Sequence, residues 1–128
     1  MRITMAGLLV DDQDRAGEFY TTVLGFQVKT DVAYGPGARW LSVVSPDEPD
    51  GTQLLLGLAD DAGREYQKIQ RERGKPAIAF TTDDCRRDYE ALRANGVTFT
   101  VQPTTMSYGG TDAVLDDTCG NLICLHQD

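Results

Sequence analysis

The hydrophobic and polar positions of this chain follow the same order twice, about 72 residues apart. In each copy an apolar run leads into an Asp-Asp pair, a charged amphipathic stretch, a glycine and a second apolar run. The first copy reads VDDQDRAGEFYTTVLGF, residues 10–26, and the second reads TTDDCRRDYEALRANGVTF, residues 81–99. A repeat of this length predicts two modules with the same order of helices and strands.

One amphipathic helix is predicted in each copy. Apolar side chains recur at i, i+3 and i+4 over roughly Asp14–Val23 and Arg86–Asn95, the spacing of one helix face. The Asp-Asp pairs ahead of these stretches are natural N-caps, and acidic residues suit the positive end of a helix. Gly25 and Gly96 stand where the two helices are expected to end.

Four strands are predicted around each helix, so that each half is a βαβββ module. In the first half the strands are Met5–Leu9, Phe26–Asp31, Ala38–Val44 and Gln53–Leu58. In the second half they are Ala77–Thr81, Thr98–Gln102, Asp112–Leu115 and Leu122–His126. The polar segment of about Asp60–Arg73 is expected to connect the halves and to be partly helical.

The pattern predicts an α+β fold in which paired βαβββ modules form a curved mixed sheet around a cleft. A four-stranded module cannot cover its own inner face, whereas two modules can cover each other's. We expect a single domain over residues 1–128, with repeats at about 3–58 and 76–126 and a connector at about 59–75.

Composition and charge exclude several classes of function. The net charge of −8 disfavours binding to nucleic acid and to anionic membrane surfaces. No apolar run reaches the length of about 18 residues that a membrane-spanning helix needs. The three cysteines form no C-x-x-C pair, which argues against a disulfide framework and against a structural zinc site. A cytoplasmic protein is expected.

Two motifs resemble the vicinal oxygen chelate superfamily. These are V-D-D-x-x-R-A-x-x-F-Y-x-x-V-L-G-F from Val10 and D-x-x-G-N-x-I-x-L from Asp117. The superfamily includes glyoxalase I, extradiol dioxygenases, fosfomycin-resistance thiol transferases and bleomycin-resistance proteins. The resemblance covers Ile3–His126 and implies paired βαβββ modules, usually in a homodimer, with a small-molecule site in the cleft.

The resemblance also implies where a divalent metal would be held, on one residue from each of four inner strands. Those positions carry Met5, Leu55, Ala77 and Cys124, with Gln53 or Leu56 in place of Leu55 if the turn shifts register. Methionine, alanine and leucine side chains do not suit Fe, Mn, Ni or Zn, and a lone thiolate cannot hold one. We therefore expect neither a metal nor another cofactor, as in the bleomycin-resistance type.

The expected function is metal-independent binding of an organic small molecule, with antibiotic binding or resistance as the family precedent. No catalytic residue is identified, and whether the protein is an enzyme stays open. The residues expected to line the cleft are Met5, Gly7, Trp40, Gln53, Leu55, Ala77, Tyr108, Cys124 and His126. The alternatives are a metal-dependent glyoxalase-type lyase, isomerase or dioxygenase with misaligned ligands, and an accessory subunit with a collapsed cleft.

Several aromatic and basic side chains could serve the cleft or the scaffold. Arg39 and Trp40 alternate along a strand, so one of them faces the cleft. Tyr108 lies in the Gly-rich turn MSYGGTD, and Tyr34 lies in the matching loop of the first half, Asp31–Ala38. Either tyrosine is a ligand contact or a packing residue of its turn.

The histidine and two of the cysteines each have one functional and one purely structural interpretation. His126 is a proton-transfer group or, more simply, a frayed residue near the end of the sequence. Cys124 is a nucleophile or a small buried hydrophobe, and Cys85 is an activated thiol or a semi-exposed bystander. The acidic pairs are expected to be caps, turns and solvated faces rather than cation sites.

Overall fold

Each half of the chain folds as a β-α-β-β-β module with a mixed four-stranded sheet. The computed structural model describes every residue, Met1–Asp128, and divides into two compact units, Met1–Arg64 and Glu65–Asp128. The α+β fold with two such modules predicted from the repeat is thereby confirmed.

The first module begins with strand β1, Met5–Val10, and helix α1, Gln13–Glu18, which continues as a π-helical turn over Phe19–Val23. Three strands follow, and they are β2 (Gln27–Gly35), β3 (Ala38–Val44) and β4 (Gln53–Leu58). The strand order is β1-β4-β3-β2, with β1 parallel to β4 and the other neighbours antiparallel.

The second module repeats this topology after helix α2, Asp61–Glu72, whose first turn lies in the first unit. Its elements are β5 (Ile78–Thr81), α3 (Cys85–Ala94), β6 (Phe99–Thr105), β7 (Thr111–Asp116) and β8 (Leu122–Gln127). The strand order is β5-β8-β7-β6, and the outer strand β5 runs parallel to β8. No helix is long and apolar enough to cross a membrane.

The helix boundaries follow from local sequence chemistry. The Asp12 carboxylate accepts the backbone N–H of Arg15 at 3.0 Å, and Asp84 accepts that of Arg87 at 2.9 Å. Each is therefore the N-cap of its helix, as the Asp-Asp pairs predicted. Gly96 follows α3 with a φ of 89°, a left-handed conformation that favours glycine after a helix.

Each sheet buries one face under its helix. In the first module the residues buried on this face include Leu8, Val10, Leu41 and Leu56, and α1 with its π-helical extension contributes Ala16, Phe19 and Tyr20. In the second module the buried cluster is Cys85, Ala113 and Leu125, with Phe99 packed against it. We call the other side of each sheet, turned away from α1 or α3, its open face.

Two predictions about the scaffold need correction. Strand β2 continues to Gly35, so most of the expected loop Asp31–Ala38 is a paired strand, and Tyr34 is an exposed strand residue. The glycines of this segment favour a loop, but β2 pairs with β3 as far as Gly35 and Ala38, and this pairing keeps the chain extended. Cys85 is fully buried rather than semi-exposed, because the first turn of α3 packs onto β8.

Candidate functional site

The open face of the first sheet is built from β1 and β4 in parallel register. Met5 lies beside Gln53, Gly7 beside Leu55, and Leu9 beside Gly57. Because strand residues alternate, these six residues face the side opposite the buried Leu8 and Leu56. Four of the residues predicted to bind a ligand therefore share one face, and they are Met5, Gly7, Gln53 and Leu55.

Two glycines leave this face without side chains near its centre. A Cβ atom added to Gly7 or to Gly57 would meet no heavy atom within 4 Å. Around this gap the side chains of Met5 and Leu9 are 36% and 39% exposed. The result is an apolar surface of exposed backbone and hydrophobic side chains on which a flat molecule can lie.

Of the neighbouring residues Arg39 and Trp40, it is Trp40 that lies on the open face. Arg39 forms ion pairs with Asp14 of α1 and with Asp31 of β2. It therefore lies on the helix side of β3, and Trp40 lies on the open face with 37% of its surface exposed. The indole gives this face a large, rigid stacking surface.

A polar pair fixes the one amide on this face. The hydroxyl of Ser42, which is fully buried, donates a hydrogen bond to Oε1 of Gln53 at 2.8 Å. Ser42 is the register partner of Leu55, so the pair lies next to the apolar surface. The Gln53 side chain is therefore held in place by a buried neighbour and is half-buried itself.

The open face of the second sheet brings together the remaining candidates. Asp112 of β7 lies directly opposite His126 of β8, and Val114 lies opposite Cys124. Ala79 and Thr81 of β5 extend the same face on the other side of β8. Ala77 is exposed just ahead of β5, and its backbone N–H donates to the carbonyl of Leu122 at 2.8 Å.

Three side chains of this face form one hydrogen-bonded network, which we call the Tyr108–Asp112–His126 network. The phenol of Tyr108 donates to Oδ2 of Asp112 at 2.5 Å, and Nδ1 of His126 lies 2.6 Å from Oδ1 of the same carboxylate. On its other side, Nε2 of His126 lies 3.0 Å from Oδ1 of Asp128. The Tyr108 and His126 rings are 6.1 Å apart between centroids, tilted by 38°.

Gly110 makes this arrangement possible. A Cβ atom at Gly110 would lie 2.8 Å from the carbonyl oxygen of Gln127, 2.9 Å from Tyr108 Cε2 and 3.0 Å from His126 Cε1. Any other residue would push the turn away from β8 and separate the two rings. The Gly-rich turn predicted at MSYGGTD therefore serves to bring Tyr108 against the strand.

The network shifts the protonation of each member. The hydrogen bond to Asp112 raises the pKa of Tyr108 to about 12, so its phenol stays neutral. Hydrogen bonds from Tyr108 and His126 lower the pKa of Asp112, which therefore stays ionised. The two carboxylates, Asp112 first and Asp128 second, raise the pKa of His126 above its ordinary value of 6.5.

His126 is thus not the frayed residue expected near the end of the sequence. It is a paired residue of β8 with Thr81 and Asp112 as its neighbours. Asp112, which joins Tyr108 to His126, was absent from the predicted site. The sequence does place Tyr108, Asp112 and the turn glycines in one short segment. Only the strand register, however, shows that Asp112 lies opposite His126.

Neither cysteine near the network is activated. Burial, and after it the Asp112 charge, raises the pKa of the Cys124 thiol. Burial likewise raises the pKa of Cys85, whose sulfur lies 3.6 Å from the carbonyl oxygen of Leu125. Both thiols stay protonated near neutral pH, and a thiol is a poor nucleophile compared with a thiolate.

The four positions at which metal-binding relatives hold their ion do not suit a metal here. Met5 and Leu55 lie on the first open face, and Ala77 and Cys124 belong to the second module. Of these four side chains only Cys124 offers a donor that suits Fe, Mn, Ni or Zn, and one thiolate cannot hold such an ion. No group of three or more His, Cys, Asp or Glu side chains is placed to hold a metal ion.

Paired βαβββ modules with mixed four-stranded sheets and candidate residues on their open faces define a glyoxalase-type protein. Residues 2–125 match the Glyoxalase/Bleomycin resistance protein/Dioxygenase superfamily, and the chain belongs to this superfamily.

Three proteins are similar to this chain over nearly its whole length. The chain is 48% identical to the uncharacterized protein YurT of Bacillus subtilis (strain 168), over 99% of both chains. The crystal structure of UcmS2 is 31% identical with a TM-score of 0.83, over 98% of this chain and 97% of that one. TnmS3, an antibiotic binding protein from Streptomyces sp. CB03234, is 26% identical with a TM-score of 0.77, over 99% and 95%. Structural neighbours of the chain therefore include antibiotic-binding proteins.

Proposed function

We propose that this protein binds organic small molecules of antibiotic-like chemistry on the open face of a sheet, without a metal ion. The observation that carries the proposal is the apolar open face of the first sheet. There Trp40, Met5 and Leu9 share the face with Gly7 and Gly57, which leave part of it free of side chains. Exposed apolar surface around a recess is the usual form of a ligand site.

The proposal of metal independence is supported by the residues at the four family positions. Met5, Leu55 and Ala77 offer no ligand for a divalent ion, and the Cys124 thiol is held protonated. The likeness to the antibiotic binding protein TnmS3 favours sequestration of a ligand over a metal-dependent reaction. Binding alone requires shape and stacking surface, which the first open face provides.

Titration with bleomycin and with a panel of planar aromatic antibiotics tests this function. Trp40 is the only tryptophan, so its fluorescence reports directly on the open face. We expect at least one compound to quench it with saturation, and the affinity to be unchanged by EDTA. In calorimetry, Trp40→Leu should weaken that binding roughly tenfold, because about 1–2 kcal/mol of stacking and burial is lost.

The exposed Tyr66 of α2 provides the control, since Tyr66→Leu removes a similar aromatic area from a helix that is not part of this sheet. Saturable binding that vanishes with EDTA would contradict metal independence and favour the metal-dependent lyase, isomerase or dioxygenase. Equal losses in both variants would show that the ligand does not bind at Trp40.

The proposal includes a homodimer acting in the cytoplasm. Homodimers are usual in the resembled superfamily, and exposed apolar residues on the edge strand β2 (Val28, Val32 and Tyr34) offer surface for association. Light scattering after size exclusion should give twice the chain mass of 14.0 kDa, and cell fractionation should recover the protein with the cytoplasm. A mass of one chain at micromolar concentration would contradict the dimer.

A further inference from the structure

The hydrogen-bond donors and acceptors of the Tyr108–Asp112–His126 network determine which of its atoms are left for a ligand. The phenol proton of Tyr108 and the proton on Nδ1 of His126 both point to Asp112. When His126 is protonated, Nε2 donates to Asp128. Every donor of the network is therefore used internally, and the atoms left to face outward are acceptors.

Two such acceptors are available to a ligand. The phenol oxygen of Tyr108 keeps its lone pairs, and Asp128, whose side chain is 97% exposed, keeps its second carboxylate oxygen. Two carboxylates against one imidazolium leave the network with a net negative charge. The ring of Tyr108 is 63% exposed and uncharged, so its face is open to a cation.

We propose that the Tyr108–Asp112–His126 network binds the protonated nitrogen of an organic amine or nitrogen heterocycle, against the face of Tyr108 and hydrogen-bonded to its phenol oxygen and to Asp128. The inference rests on the proposed function and names the chemical class of the ligand. An anionic ligand would meet the carboxylates of Asp112 and Asp128, and the one cation of the network, the His126 imidazolium, is already bonded to both of them. Selection by charge follows from this arrangement.

The affinity for such a cation depends on the protonation of His126. The charged and titratable groups around this ring are Asp112 from β7, Tyr108 from the turn, Asp128 beyond β8 and Cys124 on β8 itself. Below the raised pKa of His126 its imidazolium neutralises part of the carboxylate charge. As the pH rises through that pKa, the proton leaves and the cation is held more tightly. An anion should show the opposite trend.

Two planar tricyclic probes of opposite charge test the inference: proflavine, a cation, and anthracene-9-carboxylate, an anion. Calorimetry with the full chain at about pH 6 and about pH 8 spans the titration of a histidine with a raised pKa. We expect proflavine to bind more tightly at both pH values, and its affinity to rise roughly threefold to fivefold with pH, as for a partly exposed charge pair. Amide NMR shifts should centre on Val114, Cys124 and His126.

Single-residue variants test whether the cation is bound by the network or only attracted by the overall negative charge of the chain. His126→Gln should abolish the pH dependence, and Tyr108→Leu, at an exposed position, should weaken proflavine binding without affecting folding. Asp112→Asn should weaken it more than Asp47→Asn, which removes the same charge from an exposed turn of the first module.

Equal affinities for the two probes, or equal losses in Asp112→Asn and Asp47→Asn, would overturn the amine site. If bleomycin or another antibiotic still quenched Trp40, the proposed function would survive that result. Failure of both probes to bind, together with no quenching of Trp40 by any antibiotic, would overturn both proposals.

Discussion

Replacing Gly7 with valine should weaken ligand binding about tenfold or more while leaving the protein as stable as before, or slightly more stable. Gly7 lies in the middle of β1, an outer strand of the first sheet, and its φ is not in the left-handed region. A Cβ there meets no atom within 4 Å and Gly7 is exposed, so we expect the valine side chain to be accommodated. It would fill the gap that the ligand is proposed to occupy.

The stability of this variant should not fall, because valine suits a strand better than glycine does. Glycine loses more backbone freedom on folding, and the exchange is worth up to about 1 kcal/mol in favour of valine. Most glycine substitutions in functional sites damage folding and binding together. Here the two effects should separate, which makes the result easy to interpret.

The measurement pairs calorimetric titration of the ligand that quenches Trp40 with a thermal melt of the same sample. Gly57→Val tests the other half of the gap, since a Cβ at Gly57 also meets nothing within 4 Å. Gly35→Val is the matched control at the end of β2, where a Cβ makes an ordinary contact of 3.8 Å with Ala38. Unchanged affinity in both Gly7→Val and Gly57→Val would place the ligand elsewhere.

The fold could be predicted from the sequence because its signals are local and are repeated. Each Asp-Asp pair supplies the N-cap of the helix that follows it directly, through a backbone N–H three residues on. Gly25 and Gly96 end the helices through their own backbone conformation. Because the same caps and glycines occur twice, about 72 residues apart, each copy supports the secondary structure predicted from the other. The element order of both modules follows from them.

The open-face residues of β1 and β4 could also be predicted, because period-two alternation places Met5, Gly7, Gln53 and Leu55 on one side once the buried side is known. Alternation alone could not decide between Arg39 and Trp40. That choice depends on Asp14 and Asp31, which reach Arg39 from α1 and β2.

The Tyr108–Asp112–His126 network lay beyond sequence reasoning for a different reason. Asp112 and His126 are 14 residues apart, and they meet only because β7 and β8 pair in one register. A shift of one residue would turn His126 to the other face of the sheet. The register is fixed by the turn between the strands, residues 117–121, whose hydrogen bonds cannot be read from composition.

Replacing Asp117 in that turn with alanine should cost about 3–4 kcal/mol of folding free energy, since several buried donors lose their acceptor. Asp117 is fully buried, and its Oδ1 accepts the backbone N–H groups of Cys119 at 2.7 Å and Asn121 at 2.9 Å. Its Oδ2 accepts the side-chain amide of Asn121 at 2.8 Å. These bonds hold Thr118 at a φ of 62°, a left-handed conformation unfavourable for a β-branched residue.

The loss should reach the candidate site as well. With the turn loosened, the pairing of Asp112 with His126 weakens, so the raised pKa of His126 should move back toward its ordinary value. A thermal melt should show a decrease in Tm of roughly 10–15 °C for a domain of this size. Titration of the His126 ring by NMR, at a temperature where the variant is folded, measures the second effect.

Asp117→Asn provides the graded comparison. It keeps one oxygen for the two backbone donors but turns an amide toward the Asn121 amide, and we expect a loss of about 1–2 kcal/mol. Asn121 cannot simply flip to relieve this, because its Oδ1 accepts a hydrogen bond from Gln67 of α2 at 3.2 Å. Asp11→Ala removes an exposed carboxylate and should leave Tm unchanged. If Asp117→Ala melts like Asp11→Ala, the turn does not fix the register, and the network must be held by the strands alone.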